Sequence, residues 1–221
     1  MFVVMEGIDK SGKATLTESV LQYFLKADPG WNPVKYGFPM YETPSGKMVT
    51  KFLKGGYGPL QSIPYELRSL LYAANRVPWA RAIREEINNG SLVLSDRYVT
   101  SQAHQSLDFS TDTDALESYF NWVEELEFID FGLPCPDLIF LVDISEEVSM
   151  RRGEAQDLQE ADRDHLRKTR NTYRWMAENS VFGVKWVVLD GTLPTAINTI
   201  NVVKAINEMC PQRCESSRNE C

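Results

Sequence analysis

Short apolar runs alternate along this chain with stretches whose apolar residues recur every three to four positions. Phe2-Val3-Val4-Met5 is the first run and predicts a buried strand. Lys13 to Lys26 carries Leu16, Val20 and Phe24 on one helical face and is expected to stop at Asp28-Pro29-Gly30. A strand over Val34–Phe38 ends at Pro39, and a second helix is expected from about Pro44, holding Val49, Phe52 and Leu53. Beyond the break Gly55-Gly56-Tyr57-Gly58-Pro59, a long helix is predicted from Pro64 to about Asn88. Pro78 should bend it, because that position has no N–H to return to Ala74. Ser91–Ser95 reads as a strand delivering Asp96-Arg97-Tyr98 at its carboxyl end, followed by an amphipathic helix around Asp114–Asp130 with Leu116, Phe120, Val123 and Leu126 inward. Strands at Asp137–Ile144 and Val184–Leu189, a charged stretch between them, and a helix from about Pro194 to Met209 complete the pattern. Nearly continuous apolar strands separated by helices predict a parallel sheet covered on both faces.

Ligands of such sheets bind beyond the carboxyl ends of the strands. Gly7-Ile8-Asp9-Lys10-Ser11-Gly12-Lys13 lies there, between the first strand and the first helix. A GxxxxGK segment in that setting cradles phosphates: its glycines admit the backbone, its N–H groups and the helix N-terminus face the anion, and Lys13 adds a point charge. Gly7, Ser11, Gly12, Lys13, Ala14 and Thr15 are therefore the expected ATP phosphate site. Ala14 departs from the pattern, which places there a Ser or Thr hydroxyl for Mg²⁺. Thr15 is no simple substitute, since one helical step turns a side chain by about 100°.

Composition narrows the class. The chain has 221 residues, 43% hydrophobic and 24% charged, as in ordinary globular proteins. A net charge of −8 argues against a broad nucleic-acid surface. No run approaches the ~20 apolar residues of a membrane span, and no signal-peptide pattern is present, so the cytoplasm is the expected compartment. Four cysteines make no dense disulfide framework; Cys210, Cys214 and Cys221 lie in a polar stretch, residues 209–221, read as an extension rather than a zinc or disulfide site.

Met5-Glu6-Gly7-Ile8-Asp9, Leu70-Leu71-Tyr72-Ala73-Ala74-Asn75-Arg76, Asp96-Arg97-Tyr98, Pro136-Asp137-Leu138 and Asp157-Leu158-Gln159-Glu160, in that order, resemble the thymidylate kinase family over residues 1–208. The resemblance implies a P-loop NTPase fold, three layers about a five-stranded parallel sheet with a small lid near residues 150–162. It also implies transfer of the γ-phosphoryl group of ATP, with Mg²⁺, to dTMP, and a homodimer. Such a reaction brings two anions together: at ~4 Å and an effective dielectric of ~20, two like unit charges repel by ~4 kcal/mol. Lys13, Arg97, Lys10 and a lid arginine, Arg151 or Arg152, are the cations available. By resemblance Asp9 bonds the deoxyribose 3′-hydroxyl and Asp96 holds Mg²⁺ through water. Tyr72 stacks on the base, Arg76 bonds its carbonyl, Tyr98 crowds the sugar 2′ position, and Phe38 and Gln105 complete the acceptor site. Tyr72 could equally extend the apolar face formed by Leu67, Leu71 and Ala74. His104 is expected to be structural, because this phosphoryl transfer needs no general base.

A second departure concerns Phe38-Pro39-Met40-Tyr41, where the family usually offers an arginine to the acceptor phosphate and this chain has none. Loss of one such contact costs on the order of 2 kcal/mol; Lys35 or Lys47 are the available replacements. These departures leave two alternatives open: a nucleotide-binding regulator without kinase activity, and a kinase for another pyrimidine monophosphate.

Overall fold

The computed structural model describes residues 1–27, 30–59 and 62–210. The expected helix stop at Asp28-Pro29, and Cys214 and Cys221, lie outside the described residues. Five strands, β1 (Phe2–Glu6), β2 (Pro33–Gly37), β3 (Leu92–Asp96), β4 (Leu138–Asp143) and β5 (Lys185–Asp190), form one parallel sheet in the order β2-β3-β1-β4-β5. Alternate residues of β1 feed two cores. Phe2 and Val4 join Ile83, Phe120, Val123 and Tyr173 on one face, whereas Val3 and Met5 join Leu16, Val20, Phe24 and Val202 on the other. Helices α1 (Lys13–Ala27) and α9 (Thr195–Met209) thus cover one face. Helices α4 (Ala80–Asn88), α5 (Thr113–Glu124) and α8 (Arg163–Glu178) cover the other. The central strands β1, β3 and β4 are buried on both faces, as their apolar sequences require, while the edge strands β2 and β5 stay partly exposed.

The predicted long helix divides. Helix α3 (Tyr65–Arg76) and α4 are separated by a 3₁₀ turn over Val77–Trp79 that contains Pro78, the residue without an N–H. The predicted helix to Asp130 is α-helical only to Glu124 and continues as one π-helical turn, Glu125–Asp130. The buried row Leu116, Phe120, Val123 continues at helical spacing with Glu127, and Leu126, expected inside, is only half-buried.

The carboxyl ends of β1, β3 and β4 are aligned, with Met5 beside Asp96 and Glu6 beside Leu141. Helix α2 (Pro44–Leu53) packs through Val49 and Phe52 against Leu71 and Tyr72 of α3, forming a small separate cluster above that edge. On the opposite side the chain runs from α6 (Glu146–Arg151) through the short helix α7 (Leu158–Ala161) into α8, passing over the loop that follows β1.

Candidate active site

The loop after β1 is shaped by two glycines. Gly7 has φ +146°, and a Cβ there would lie 2.6 Å from the Val142 carbonyl oxygen; Gly12 has φ +97°. No other residue type fits the first position without moving β4. Lys13 is buried at the start of α1, its Nζ donating to the Ile8 carbonyl at 3.3 Å and lying 3.9 Å from Asp9 Oδ1. Burial and then Arg97 lower its pKa, while Asp9, Asp96 and Glu6 act in the opposite direction. Ala14 and Thr15 are exposed on the first turn of α1.

Arg97, one residue past β3, meets this loop from the next strand. Its backbone adopts φ +66°, a left-handed conformation that is unfavourable for a branched-out side chain and persists where surrounding contacts fix it. Those contacts are an ion pair from Nη2 to Asp9 Oδ1 and a 2.8 Å bond from Nη1 to His104 Nε2. Since a guanidinium only donates, Nε2 accepts and the His104 proton sits on Nδ1. Burial, then the Arg97 charge, hold His104 well below the ordinary histidine pKa, consistent with a neutral ring. Burial alone would raise the pKa of Asp9, but Arg97 and Lys13 outweigh it and keep the carboxyl below the usual range. Asp9 is thus one carboxylate shared by two cations.

Below this turn, Glu6 is fully buried and accepts from Tyr98 N (3.0 Å), Thr100 Oγ1 (2.6 Å), Ser101 Oγ (2.9 Å) and Tyr173 Oη (2.8 Å). It fixes the β3 exit to β1 and α8. Asp96, at the end of β3, has a buried Oδ1 without a hydrogen-bond partner among the described residues, and so does Ser11 Oγ in the loop. Two orphaned oxygens at the phosphate site suit a hard cation, which takes oxygen ligands and retained waters.

An open pocket lies beside Asp9 and Arg97. Phe38, Tyr41, Tyr72 and Arg76 form one wall, Ser101 and His104 another, and Asp157, Gln159 and Glu160 the roof. The chain turns at the cis peptide Phe38–Pro39, and Asn75 clamps the next residue, accepting from Met40 N at 2.7 Å and donating to Thr43 and Ser45. Tyr72 packs edge-on against Phe52 at 6.2 Å, and burial raises its phenol pKa. Arg76 makes a two-armed ion pair with Glu127, Nε to Oε2 at 2.7 Å and Nη2 to Oε1 at 2.5 Å, and donates from Nη1 to the Tyr98 carbonyl at 3.2 Å.

Most of the expected residues therefore converge: Asp9, Phe38, Tyr72, Arg76 and Arg97 line the pocket, with Lys10, Lys13 and Asp96 at its phosphate end. Two acceptor residues are corrected. Tyr98 turns into the core, packing on Phe2 at 4.9 Å and donating to the Pro134 carbonyl at 3.0 Å, because the reversed backbone at Arg97 sends the next side chain beneath the sheet edge. Gln105 is buried outside the lining, its Oε1 unpartnered among the described residues; the 3₁₀ turn over Val99–His104 brings Ser101 and His104 to the pocket instead. Nor does either lysine replace the missing arginine: Lys35 pairs with Glu18 and Lys47 is exposed.

Arg152 lies on the other side of the loop, donating from Nη1 to the Ser11 and Lys10 carbonyls at 2.9 and 3.1 Å and from Nη2 to Gly191 O at 2.7 Å. With Thr15, Leu16, Val142 and Leu193 it borders a shallow slot. Lys10, at φ +59°, reaches the roof through a 3.1 Å ion pair with Glu160. Sequence reasoning missed Glu127; its signal was a charged residue at the next inward position of an apolar helical row.

Sheet order, glycine loop, buried lysine and strand-end aspartate define a P-loop NTPase. A family model described as thymidylate kinase matches residues 5–200, and the chain belongs to that family. A thymidylate kinase of Mycobacterium tuberculosis is 29% identical over 199 residues, covering 86% of this chain and 91% of its own. A probable thymidylate kinase of Pyrococcus abyssi is 31% identical, covering 80% and 82% respectively. Among solved structures, a thymidylate kinase from Candida albicans superposes with a TM-score of 0.71 at 23% identity, covering 96% of this chain and 92% of that one.

Proposed function

We propose that the protein transfers the γ-phosphoryl group of ATP to dTMP, giving dTDP and ADP. The observation that carries this reading is the sharing of Asp9 between Lys13 and Arg97, at the point where the phosphate loop meets the pocket. One carboxylate between two cations leaves positive charge directed at the place where donor and acceptor phosphates must approach. Phosphoryl transfer asks for little else than alignment and charge stabilisation.

In this reading the backbone from Gly7 to Thr15 binds the β-phosphate, and the adenine occupies the slot beside Arg152, whose planar guanidinium suits a base face. Lys13 and Arg97 bridge the transferring group, and Lys10 joins them when it leaves Glu160. Asp96, with its unpartnered Oδ1, would hold Mg²⁺ through water, and the ion would neutralise charge on the β- and γ-phosphates. Asp9 receives the sugar 3′-hydroxyl, Tyr72 stacks on the base, Phe38 adds a further aromatic contact, and Arg76 bonds a base carbonyl. Residues 150–162 act as a lid; Gln159 and Glu160 already roof the pocket. The resemblance further supports a homodimer in the cytoplasm, and Leu67 and Leu70, exposed on α3, are apolar positions that a helix-to-helix contact would cover. Among the described residues no helix is long and apolar enough to cross a membrane.

The test is ADP release from ATP and Mg²⁺ with dTMP, dUMP, UMP, dCMP and dGMP, beside a Lys13→Ala control. Turnover fastest with dTMP and lost in the control is expected. ATP binding without turnover of any acceptor would sink the kinase reading in favour of a nucleotide-binding regulator.

A further inference from the structure

Arg76 and Glu127 are both fully enclosed, at 2% and 0% exposure. A buried pair of this kind seldom adds stability over apolar packing, so its presence at a pocket wall calls for another explanation. Glu127 enters the interior on the π-helical turn Glu125–Asp130, a local form that recurs at functional sites. Its Oε1 accepts from Arg76 Nη2 and also from Gln102 Nε2 at 2.8 Å, while Gln102 donates again to the Ser69 carbonyl at 3.0 Å. The carboxylate is therefore itself held by α3 and by the turn after β3.

This chain of contacts defines how Arg76 faces the pocket. Of the five N–H groups of a guanidinium, Nε–H and one on Nη2 go to Glu127 and one on Nη1 goes to Tyr98 O. The two remaining are fixed in direction on a side chain that lines the pocket. The charge of Arg76 is balanced, so what it offers a ligand is geometry: rigid donors that match a carbonyl and oppose an amino group.

We propose that Glu127, seated by Gln102, is a positioning residue that sets base selectivity through Arg76, favouring a pyrimidine with a 4-carbonyl over one with a 4-amino group. The inference rests on the proposed dTMP kinase reading and deepens it. Freed from the carboxylate, Arg76 can rotate and its donors no longer reject the amino base.

The experiment is steady-state kinetics of the full chain with dTMP, dUMP and dCMP at saturating ATP, comparing wild type, Glu127→Gln and Gln102→Ala. In Glu127→Gln the expected result is a rise of about tenfold in KM for dTMP and a similar fall in the dTMP-over-dCMP ratio of kcat/KM. Saturated kcat with dTMP and KM for ATP should stay within about twofold of wild type. Gln102→Ala should move the ratio in the same direction and less. A structural role alone would lower kcat for all acceptors together, and an unchanged ratio in the variants overturns the inference while leaving the kinase reading intact. Should Glu127→Gln fail to fold, the ratio in Gln102→Ala decides. Wild-type protein that turns over no dTMP removes both.

Discussion

The two ends of the pocket each place an arginine against a carboxylate, and they do so to opposite effect. At the phosphate end Asp9 serves Arg97 and Lys13 at once, on a loop and a left-handed turn, so the carboxylate is outnumbered by its direct cation partners. At the base end Glu127 meets a single cation, Arg76, through two bonds between a helix and a π turn, and the charge cancels. Surplus charge belongs where anions must be drawn together; cancelled charge with fixed donors belongs where neutral shapes must be told apart. The same pair of residue types thus separates catalysis from selection by stoichiometry.

The comparison can be broken most directly at Lys13. Lys13→Ala removes one of the two cations on Asp9 and should lower kcat/KM on the order of 10³-fold in an ADP-release assay, with thermal unfolding near that of wild type. Arg97→Lys keeps a charge but loses the planar fork that reaches Asp9 and His104 together, and a fall of about 10²-fold in kcat is expected.

Acid should act on the phosphate end through its histidines. Burial, outweighing Asp162 and Asp9, pushes the pKa of His165 down to about 4, and its ring lies 5.8 Å from that of His104. A histidine held neutral binds fewer protons folded than unfolded, so stability is full above the ordinary value near 6.5, falls as pH drops, and levels off below 4. Near pH 5 the loss is about 2 kcal/mol. Denaturant midpoints from pH 7 to 4 should show it, and His165→Gln should flatten that slope. The smallest effect is expected at the base end: Tyr72→Ala removes a stacking face and should raise KM for dTMP about tenfold with kcat little changed. Equal losses in kcat from Tyr72→Ala and Arg97→Lys would erase the distinction between the two ends.

The same division governs what the sequence made legible. The phosphate end is written contiguously, Gly7 to Thr15 after an apolar strand; the alternation of runs carried the parallel sheet, and Pro78 marked a bend where the structure has a break. The base end is assembled from residues far apart: Arg76 meets a carboxylate 51 positions later, and Asn75 clamps a loop 35 positions earlier. Periodicity marks position 127 as inward, but not that Arg76 would be the partner that lets a carboxylate sit there. Nor could spacing foresee that the positive φ of Arg97 turns Tyr98 under the sheet and leaves Ser101 and His104 to face the pocket, since that reversal is fixed by Asp9 and His104 across the site.

Glu6 has a consequence for the making of the protein. Its acceptor oxygens, at the end of the first strand of the nascent chain, find their donors at Tyr98, Thr100 and Ser101 and finally at Tyr173, 167 residues downstream. At typical synthesis speeds of roughly 5–20 residues per second, that interval is on the order of 10 s. Until α8 emerges, the first strand holds a carboxylate that prefers water to the interior, and the phosphate loop attached to it has no fixed floor. The phosphate loop, though encoded in the first fifteen residues, rests on a contact that can form only once α8 has been made.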